Sequence, residues 1–593
     1  MTKTPFFQQY ENVAEFERYL GDPLYPARQL SFQQAVENDE QEVYPEAAFE
    51  EVENWGLHQY YVPEQYGGRF RSFEELFGLL RLLARRDVTV VVAHAKTFLG
   101  AIGIWLNGSE SQKARLAQLI RRRGQVSLAL TEKEHGGDLL ANEVTATKVD
   151  GGYLLQGEKW LISNATRSAA LALFARTEPA GGPRGFSLFF IEKRLLDPSS
   201  FSHLPKVKTL GVRGADISGI RFERCLVPES ALVGTPGAAL ETTLKAFQIS
   251  RTILPAAPLG MADTALRSTM RFALSRRLYG ASVFEIPEAR RVLVEAFIDI
   301  LICDCVAISA ARSLHVAADQ MSLWSAATKY FVPVRVERLI AELSVVMGAR
   351  HFLRQDHDSG VFQKIRRESS APGVIHLDDH LNLNLIGELL RSWADDGRGR
   401  QKRRRQDADL EGTLNSIFSL AAPLPDFDPK TLGLYNRRQD LITQSAELCG
   451  VRLAAAGLDG ETADLLSAFA GTIVSEFGRQ AEAFANLDQL YGDVFTHPPE
   501  LWALARRHCL LHAGASCLWT WLFNRESLGE FFARGEWLVL ALDRLMTALA
   551  PPRSPIPTAF TDRVASELFR LHREDRLFSI VPLKLAGIES TSA

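Results

Sequence analysis

The length, composition and charge of the chain exclude several classes of protein. Its 593 residues exceed what one hydrophobic core organises, and 46% of them are hydrophobic, so we expect several packed domains. A net charge of -4, from 67 basic and 71 acidic residues, gives no overall attraction to nucleic acid or anionic lipid. The six cysteines form no CxxC pair and no disulfide-framework spacing, which indicates thiols in a reducing cytoplasm.

The first hundred residues predict neither secretion nor a membrane span. MTKTPFFQQYENVAEFERYL lacks a continuous apolar stretch followed by a small-residue cleavage site. The closest approach to a membrane span is residues 88–106, whose interior contains His94 and Lys96. We therefore interpret that segment as a buried core helix of a cytoplasmic protein.

Three periodic regions follow one another along the chain. Apolar residues recur at spacings of three and four up to about residue 125, which predicts an N-terminal helical domain over residues 1–125. Between 126 and 235 the period changes to two, with Gly, Pro, Asp and Asn turns between the runs, which predicts a β domain. Helical periodicity returns over 236–392 and predicts a helix bundle.

The remaining third of the chain begins with a charged segment. Residues 393–412 combine charge and glycine without apolar periodicity, which is typical of a solvated linker. Its basic run, 402–405, is alternatively an address or a nucleic-acid patch, but acidic neighbours on both sides favour the linker. Residues 413–593 are again apolar at helical spacing and predict an additional helical domain.

Short motifs stand where these regions meet. They are VPEQYGG at 62–68, LALTEKEHGGD at 128–138, GEKWLISNA at 157–165, LGVRGADISGIRFERCLVPESALVG at 210–234, SRRLYG at 275–280 and VMGAR at 346–350. In this order, and with an α, β, α arrangement, the chain resembles the acyl-CoA dehydrogenase family over roughly residues 10–392.

The resemblance implies a fold that is mainly α with a central β domain. We expect the family's α domain, β-barrel domain and four-helix bundle, followed here by the extra C-terminal helical domain. In the family, FAD lies between the β domain and the bundle, and a neighbouring subunit completes the site. We therefore expect FAD, a homodimer or homotetramer, and no need for a GxGxxG motif.

The resemblance also assigns cofactor contacts to residues of the motifs. Strand-edge amides and a glycine turn suit the polar rim of a flavin and close approach to phosphate, although GGD is alternatively an ordinary hairpin turn. The aromatic position is displaced by one residue, from 161 to 160, and that tryptophan is alternatively core. An arginine fork suits a pyrophosphate, although a solvated helix-end arginine is the common alternative. The implied cofactor-binding residues are Leu130, Thr131, Gly137, Trp160, Leu161, Ser163, Arg276 and Gly348.

The family's catalytic glutamate has no counterpart in this sequence. The corresponding stretch is PGVIHLDDHLNLNLIGELL at 372–390, where LNLNLI aligns His376 with the base and a small gap would align Asp378 instead. Some members supply the base from the bundle's first helix, where this chain has Ser250 before Arg251. We expect these two residues and Phe247 to bind substrate, although Arg251 is alternatively a surface residue.

Three explanations for the missing glutamate remain open. His376 or Asp378 abstracts the proton, which either residue type does when suitably desolvated. Alternatively the protein keeps FAD but performs another oxidation, oxygenation or elimination, or it is a structural member without catalysis. HLDDH also presents two histidines at i and i+4, but no Glu or Cys cluster completes a ligand set, so we predict no metal.

The resulting expectation is an FAD-dependent oxidoreductase that acts on an acyl thioester. The thioester is carried by CoA or by an acyl carrier protein, and the electron acceptor is an electron-transfer flavoprotein or oxygen. The extra domain resembles in length the appended domains of the very-long-chain dehydrogenases and the acyl-CoA oxidases, and HGGD is similar to the oxidases' His-Gly turn. An acyl-CoA oxidase is therefore the alternative function.

Overall fold

The computed structural model describes residues 7–371, 379–395, 407–435, 439–458, 460–491, 499–549 and 555–587. The chain divides into two compact units, each built from separate segments. Unit 1 comprises Met1–Asp22, Ser72–Arg85 and Arg251–Ala593, and unit 2 comprises Pro23–Arg71 and Arg86–Ser250. The domain boundaries inferred from periodicity stay predictions.

Helices dominate both ends of the chain. Those before the sheet are α1 (Glu11–Leu20), α2 (Phe32–Glu40), α3 (Glu46–Trp55), α4 (Phe73–Ala84), α5 (Val88–Asn107) and α6 (Glu110–Arg121). Those after it are α7 (Ala239–Ile253), α8 (Ala256–Ser275), α9 (Pro287–Val316), α10 (Met321–Met347), α11 (Val361–Glu368), α12 (Asp379–Asp395), α13 (Asp407–Phe418), α14 (Leu441–Ala454), α15 (Gly460–Tyr491), α16 (Pro499–Asn524), α17 (Glu530–Ala533), α18 (Glu536–Met546) and α19 (Thr558–Arg573).

The sheet lies in unit 2 and is mixed. Its strands are β1 (Val126–Ala129), β2 (Thr145–Val149), β3 (Gly152–Ser163), β4 (Ala170–Arg176), β5 (Phe186–Glu192), β6 (Phe201–Leu204), β7 (Ile217–Pro228) and β8 (Leu232–Val233). They follow the order β6-β7-β3-β2-β4-β5-β8, and β1 pairs in parallel with β4. A separate hairpin in unit 1 joins β9 (Arg277–Leu278) and β10 (Ala281–Ser282).

The period-two pattern arises because one face of the sheet forms a core. In β3, Tyr153 and Leu155 are buried whereas Gln156 and Glu158 are exposed. α5 packs against β1 and β4, and its Gly100 permits close approach, since a Cβ there would lie 2.7 Å from the carbonyl oxygen of Val126. Within the described residues α5 alone is apolar and long enough to span a membrane, but 83% of that window is buried in the protein. It is the core helix that the sequence predicts.

Unit 1 joins the bundle helices to the C-terminal extension. α8, α9 and α10 pack together, and α13, α16, α18 and α19 pack against α9. Gly260 of α8 admits α4, because a Cβ there would lie 2.4 Å from the Arg81 carbonyl oxygen. All six cysteines are free and buried, as thiols are expected to be. The predicted fold class, mainly α with a central β domain and extra C-terminal helices, is confirmed.

Candidate functional site

Two of the sequence motifs meet in unit 2, where the chain leaving β1 runs beside β3. The backbone N–H of Trp160 donates to the Thr131 carbonyl at 3.0 Å, and Thr131 Oγ1 donates to the Trp160 carbonyl at 2.7 Å. One step further along, Ser127 Oγ donates to the Ser163 carbonyl at 2.8 Å. The structure therefore brings Leu130 and Thr131 together with the 160–163 segment.

A β-bulge interrupts β3 at Leu161. The register with β7 shifts between Trp160 and Ile162, and Leu161 has a φ of 57°. Its side chain is 43% exposed, whereas Ile162 is buried and Trp160 is half-buried. A positive φ at a β-branched or bulky residue is a local strain, and such strain clusters at functional sites.

A buried ion pair that the sequence analysis missed, between Lys159 and Glu132, lies next to Trp160 and Thr131. Lys159 Nζ lies 2.7 Å from Glu132 Oε1 and also donates to the Leu130 carbonyl at 2.9 Å. Burial lowers the pKa of Lys159 to about 8. Burial alone would raise the pKa of Glu132, but Lys159 and the amides of Glu143 and Val144 outweigh it and lower that pKa. Both charged residues stand inside the motifs already quoted, next to Thr131 and Trp160.

Gly137 lies in an exposed turn, after which the chain comes back to the end of β1. Gly136, with a φ of 52°, supplies the left-handed conformation of the turn, and the backbone N–H of Asp138 donates to the His135 carbonyl at 2.9 Å. After the turn, Asn142 Nδ2 donates to the Leu130 carbonyl at 3.2 Å. The segment after the turn is therefore hydrogen-bonded to the residue that follows β1. This contact fits both the predicted cofactor-binding role of GGD and the alternative of an ordinary hairpin turn.

The predicted substrate residues occupy successive turns of α7. Phe247, Ser250 and Arg251 are each about 2% exposed, so the alternative of Arg251 as a surface residue is wrong. Burial lowers the pKa of Arg251 to about 10. Ser250 Oγ donates to the Phe247 carbonyl at 3.3 Å, so this hydroxyl is held by its own helix. The unit boundary falls between Ser250 and Arg251.

The two cofactor candidates in unit 1, Arg276 and Gly348, are exposed. Arg276 ends α8, where its N–H donates to the Phe272 carbonyl at 2.9 Å, and its side chain faces solvent. Gly348 follows α10 with a φ of 57° and has no atom within 4 Å of an added Cβ. The backbone conformation, not crowding, therefore favours glycine there. Their contacts with a cofactor stay predictions.

The candidate bases, His376 and Asp378, lie outside the described residues. His380, which ends the HLDDH run, is described and packs against Trp502 with ring centroids 5.1 Å apart and the ring planes tilted by 42°. In the described part of the chain, no group of three or more His, Cys, Asp or Glu side chains is arranged to hold a metal ion.

Three family models match consecutive parts of the chain. The acyl-CoA dehydrogenase N-terminal domain matches residues 27–122, the middle domain 127–225 and the C-terminal domain 240–373. Together they cover more than half of the sequence, in the order that the motifs predict. The chain belongs to the acyl-CoA dehydrogenase family. The predictions of the family, of a flavoenzyme of this type and of FAD as its cofactor are confirmed at this level.

Individual relatives agree with this assignment. The probable acyl-CoA dehydrogenase FadE25 of Mycobacterium tuberculosis is 29% identical over 299 residues, which are 50% of this chain and 76% of that protein. Butyryl-CoA dehydrogenase from Megasphaera elsdenii superposes with a TM-score of 0.59 at 21% identity, over 65% of this chain and 98% of that chain.

Two further solved structures share the fold. The prolyl acyl carrier protein oxidase AnaB superposes with a TM-score of 0.58 at 21% identity, and an FAD complex of PigA with 0.59 at 18%. Each covers 65% of this chain and 98% of its own.

The residues of unit 2 suit the rim of a flavin. Lys159 and Asn142 both donate to the Leu130 carbonyl, and in a trans peptide the following N–H, that of Thr131, points the opposite way. Within the described residues this N–H has no hydrogen-bond acceptor. A backbone donor fixed in this way, and the half-buried Ser163 hydroxyl on the neighbouring segment, suit the acceptor-rich edge of an isoalloxazine.

Proposed function

We propose that this acyl-CoA dehydrogenase family member is an FAD-dependent oxidoreductase that dehydrogenates an acyl thioester between its α and β carbons. The observation that carries the proposal is the joined edge of Thr131 and Trp160, where Lys159 and Asn142 hold the Leu130 carbonyl and so fix the direction of the Thr131 N–H. Both segments fall within the matched middle domain.

When bound, FAD would supply one half of the chemistry by accepting a hydride from the β carbon of the substrate. The protein supplies the other half. Leu130, Thr131, Gly137, Trp160, Leu161 and Ser163 hold and cover the flavin edge, Arg276 contacts the pyrophosphate, and Gly348 contacts the cofactor. His376 or Asp378 removes the α-proton, because hydride departure requires a base positioned at that carbon.

Substrate binding is assigned to α7. Phe247 offers a buried apolar face, and Ser250 and Arg251 complete the wall. A guanidinium with its pKa lowered to about 10 stays charged at neutral pH, so Arg251 adds a fixed positive charge to that wall. Because Ser250 has no carboxylate, we assign the base to His376 or Asp378.

The substrate carrier and the acceptor complete the proposal. CoA or an acyl carrier protein carries the acyl group, and an electron-transfer flavoprotein or oxygen accepts the electrons. The enzyme acts in the cytoplasm as a homodimer or homotetramer. Similarity in fold to the carrier-protein oxidase AnaB supports the carrier-protein arm.

Reconstitution tests the cofactor and the carrier together. Purified protein is titrated with FAD, and the holoprotein is then mixed anaerobically with matched acyl-CoA and acyl carrier protein thioesters. We expect FAD to bind and one carrier series to bleach the flavin. Failure to take up FAD would refute the proposal, as would a bound flavin that neither series reduces. A Ser163→Ala variant should bind FAD more weakly, whereas Ser199→Ala, on an exposed loop of unit 2, should not.

An acyl thioester oxidase is the second candidate. The similarity to AnaB favours it, because that protein is an acyl carrier protein oxidase of the same fold. The two candidates differ in how fast the reduced holoprotein is reoxidised by air. Rapid reoxidation with stoichiometric hydrogen peroxide indicates the oxidase, and slow reoxidation that an electron-transfer flavoprotein accelerates indicates the dehydrogenase.

A further inference from the structure

We propose that Glu132, Lys159 and Asn142 are positioning residues that fix the Leu130–Thr131 peptide and thereby set both the affinity for FAD and the reduction potential of the flavin. The inference rests on the proposed function, since it assigns these residues to the flavin edge. None of them is among the residues predicted to touch the cofactor.

The first step is that the ion pair is too deeply buried to be a solvated pair. The Lys159 side chain is 0% exposed and that of Glu132 is 7% exposed. Transfer of two charges into an apolar interior is unfavourable, and well-packed apolar residues often serve stability as well as a buried pair does. The pair therefore calls for a role other than stability.

The second step is that the carboxylate is fully engaged by fixed groups. Glu132 Oε1 accepts from Lys159 Nζ at 2.7 Å and from the Val144 N–H at 3.0 Å, and Oε2 accepts from the Glu143 N–H at 2.6 Å. These amides immediately precede β2, so Glu132 is anchored next to the sheet at one side and holds the ammonium group at the other. Lys159 Nζ is thus placed by the scaffold.

The third step follows from the direction of one peptide group. Lys159 Nζ at 2.9 Å and Asn142 Nδ2 at 3.2 Å both donate to the Leu130 carbonyl, and Asn142 is 1% exposed. Two buried donors on one carbonyl prevent that peptide from turning over. Because the peptide is trans, the Thr131 N–H is held in the opposite direction.

The fourth step concerns polarity. A cation that donates to a carbonyl withdraws electron density through the peptide, so the N–H of the same peptide becomes a stronger donor. A stronger, fixed donor at a flavin edge stabilises the reduced flavin, on which negative charge increases, more than the oxidised flavin. Loss of the cation should therefore weaken FAD binding and lower the flavin potential.

The test replaces the pair by neutral groups of similar size. Removal of one charge alone leaves the other buried and unpaired, so the main variant is the double substitution Lys159→Met with Glu132→Gln. The matched control is Arg115→Met with Glu192→Gln, which removes a partly exposed 2.6 Å ion pair of the same unit. Asn142→Ala removes only the second donor to the Leu130 carbonyl.

We measure the FAD dissociation constant of the apoproteins, the flavin reduction potential and the thermal midpoint of each apoprotein. The Lys159/Glu132 double variant should bind FAD about tenfold to a hundredfold more weakly, as expected for loss of a charge-assisted hydrogen bond, and at a lower potential. Asn142→Ala should show a smaller loss of the same sign. The control should keep both values even where its thermal midpoint falls.

Each outcome decides between separate claims. If the wild-type apoprotein takes up no FAD, the proposed function fails. If the wild type binds FAD and the double variant keeps the wild-type affinity and potential, the positioning role is refuted. Where the double variant does not fold, Asn142→Ala takes its place, and wild-type affinity and potential in that variant refute the role. Equal losses in the control and in the double variant would also refute it, because they would follow from lost stability alone.

Discussion

Arg544 of the C-terminal extension binds Asp299 of α9 at two points. Its Nε lies 2.8 Å from Asp299 Oδ1 and its Nη2 lies 2.8 Å from Oδ2, while Nη1 contacts Glu295 at 2.8 Å. Burial alone would lower the pKa of Arg544, but the bond to Asp299 and the surrounding carboxylates raise it well above its usual value. In unit 1 the extension is therefore joined to the bundle by a charged contact as well as by apolar packing.

The substitution Arg544→Met tests the importance of this contact. Asp299 is 0% exposed, so loss of its partner leaves a buried carboxylate, and Arg335 at 3.5 Å compensates only in part. We expect the free energy of unfolding to fall by about 2–4 kcal/mol in denaturant titration. Arg338→Met breaks an exposed pair with Glu342 and should change it by less than about 0.5 kcal/mol. Equal effects of the two substitutions would contradict the role of Arg544.

Acid should destabilise the protein partly through His512 of α16. Its ring is 1% exposed, neither ring nitrogen has a hydrogen-bond partner in the described residues, and it packs on Trp324 with centroids 5.0 Å apart. Burial, opposed by the charge of Asp440, lowers its pKa to about 4. A lowered histidine pKa means that the unfolded chain binds the proton first, so stability is lost as the pH falls from about 6.5 towards 4.

The substitution His512→Phe should flatten this dependence. We expect the wild type to lose up to about 3 kcal/mol more than the variant between pH 6.5 and 4, measured as the free energy of unfolding at each pH. His508 is also buried in the same helix, and its pKa is lowered mainly by burial, so some slope should remain. An unchanged slope in His512→Phe would show that His512 does not titrate in this way.

Lys96 should destabilise unit 2 at neutral pH. It is half-buried in helix α5, whose neighbouring residues are buried, and desolvation lowers its pKa to about 8. Because the folded pKa is below that of the unfolded chain, the protein should gain stability as the pH rises from about 8 to 10.5. Lys96→Met should raise the free energy of unfolding at pH 7 by about 1–2 kcal/mol and remove that gain. A destabilised variant would show that Lys96 is instead paired.

Proton exchange at the substrate α-carbon identifies the base. Base removal should lower the exchange rate by about two to four orders of magnitude, the usual contribution of a positioned general base. We expect this loss in His376→Ala or in Asp378→Asn, measured by deuterium incorporation into a bound acyl thioester. Ser199→Ala, on an exposed loop of unit 2, serves as the control and should exchange normally. Normal exchange in all three variants would exclude both candidates.

The sequence predicts the strands and helices well but not the details of the flavin edge. Period-two alternation locates β3, yet a bulge at Leu161 changes which side chain faces each side, and alternation alone does not reveal an inserted residue. The sequence pattern does indicate that Lys159 is unusual, because it places this charged residue on the inward face of β3, after Tyr153 and Leu155.

It is harder to predict from chain order which helices belong to each unit. Arg85, at the end of α4, contacts Glu17 of α1 at 3.1 Å and Asp263 of α8 at 2.7 Å, so two N-terminal helices belong with the C-terminal part of the chain. Periodicity describes each helix but not its partners, because partners far apart in sequence are selected by packing and charge.

The measurement that tests the central claim most directly is the identity of the product after one turnover. FAD-loaded protein is mixed anaerobically with an acyl thioester, the visible flavin absorption is followed, and the acyl group is then analysed by mass spectrometry. We predict that the flavin bleaches and that the acyl group has lost two hydrogen atoms, with a double bond between its α and β carbons. An unbleached flavin, or a bleached flavin with an acyl group that has kept all its hydrogens, would contradict the account.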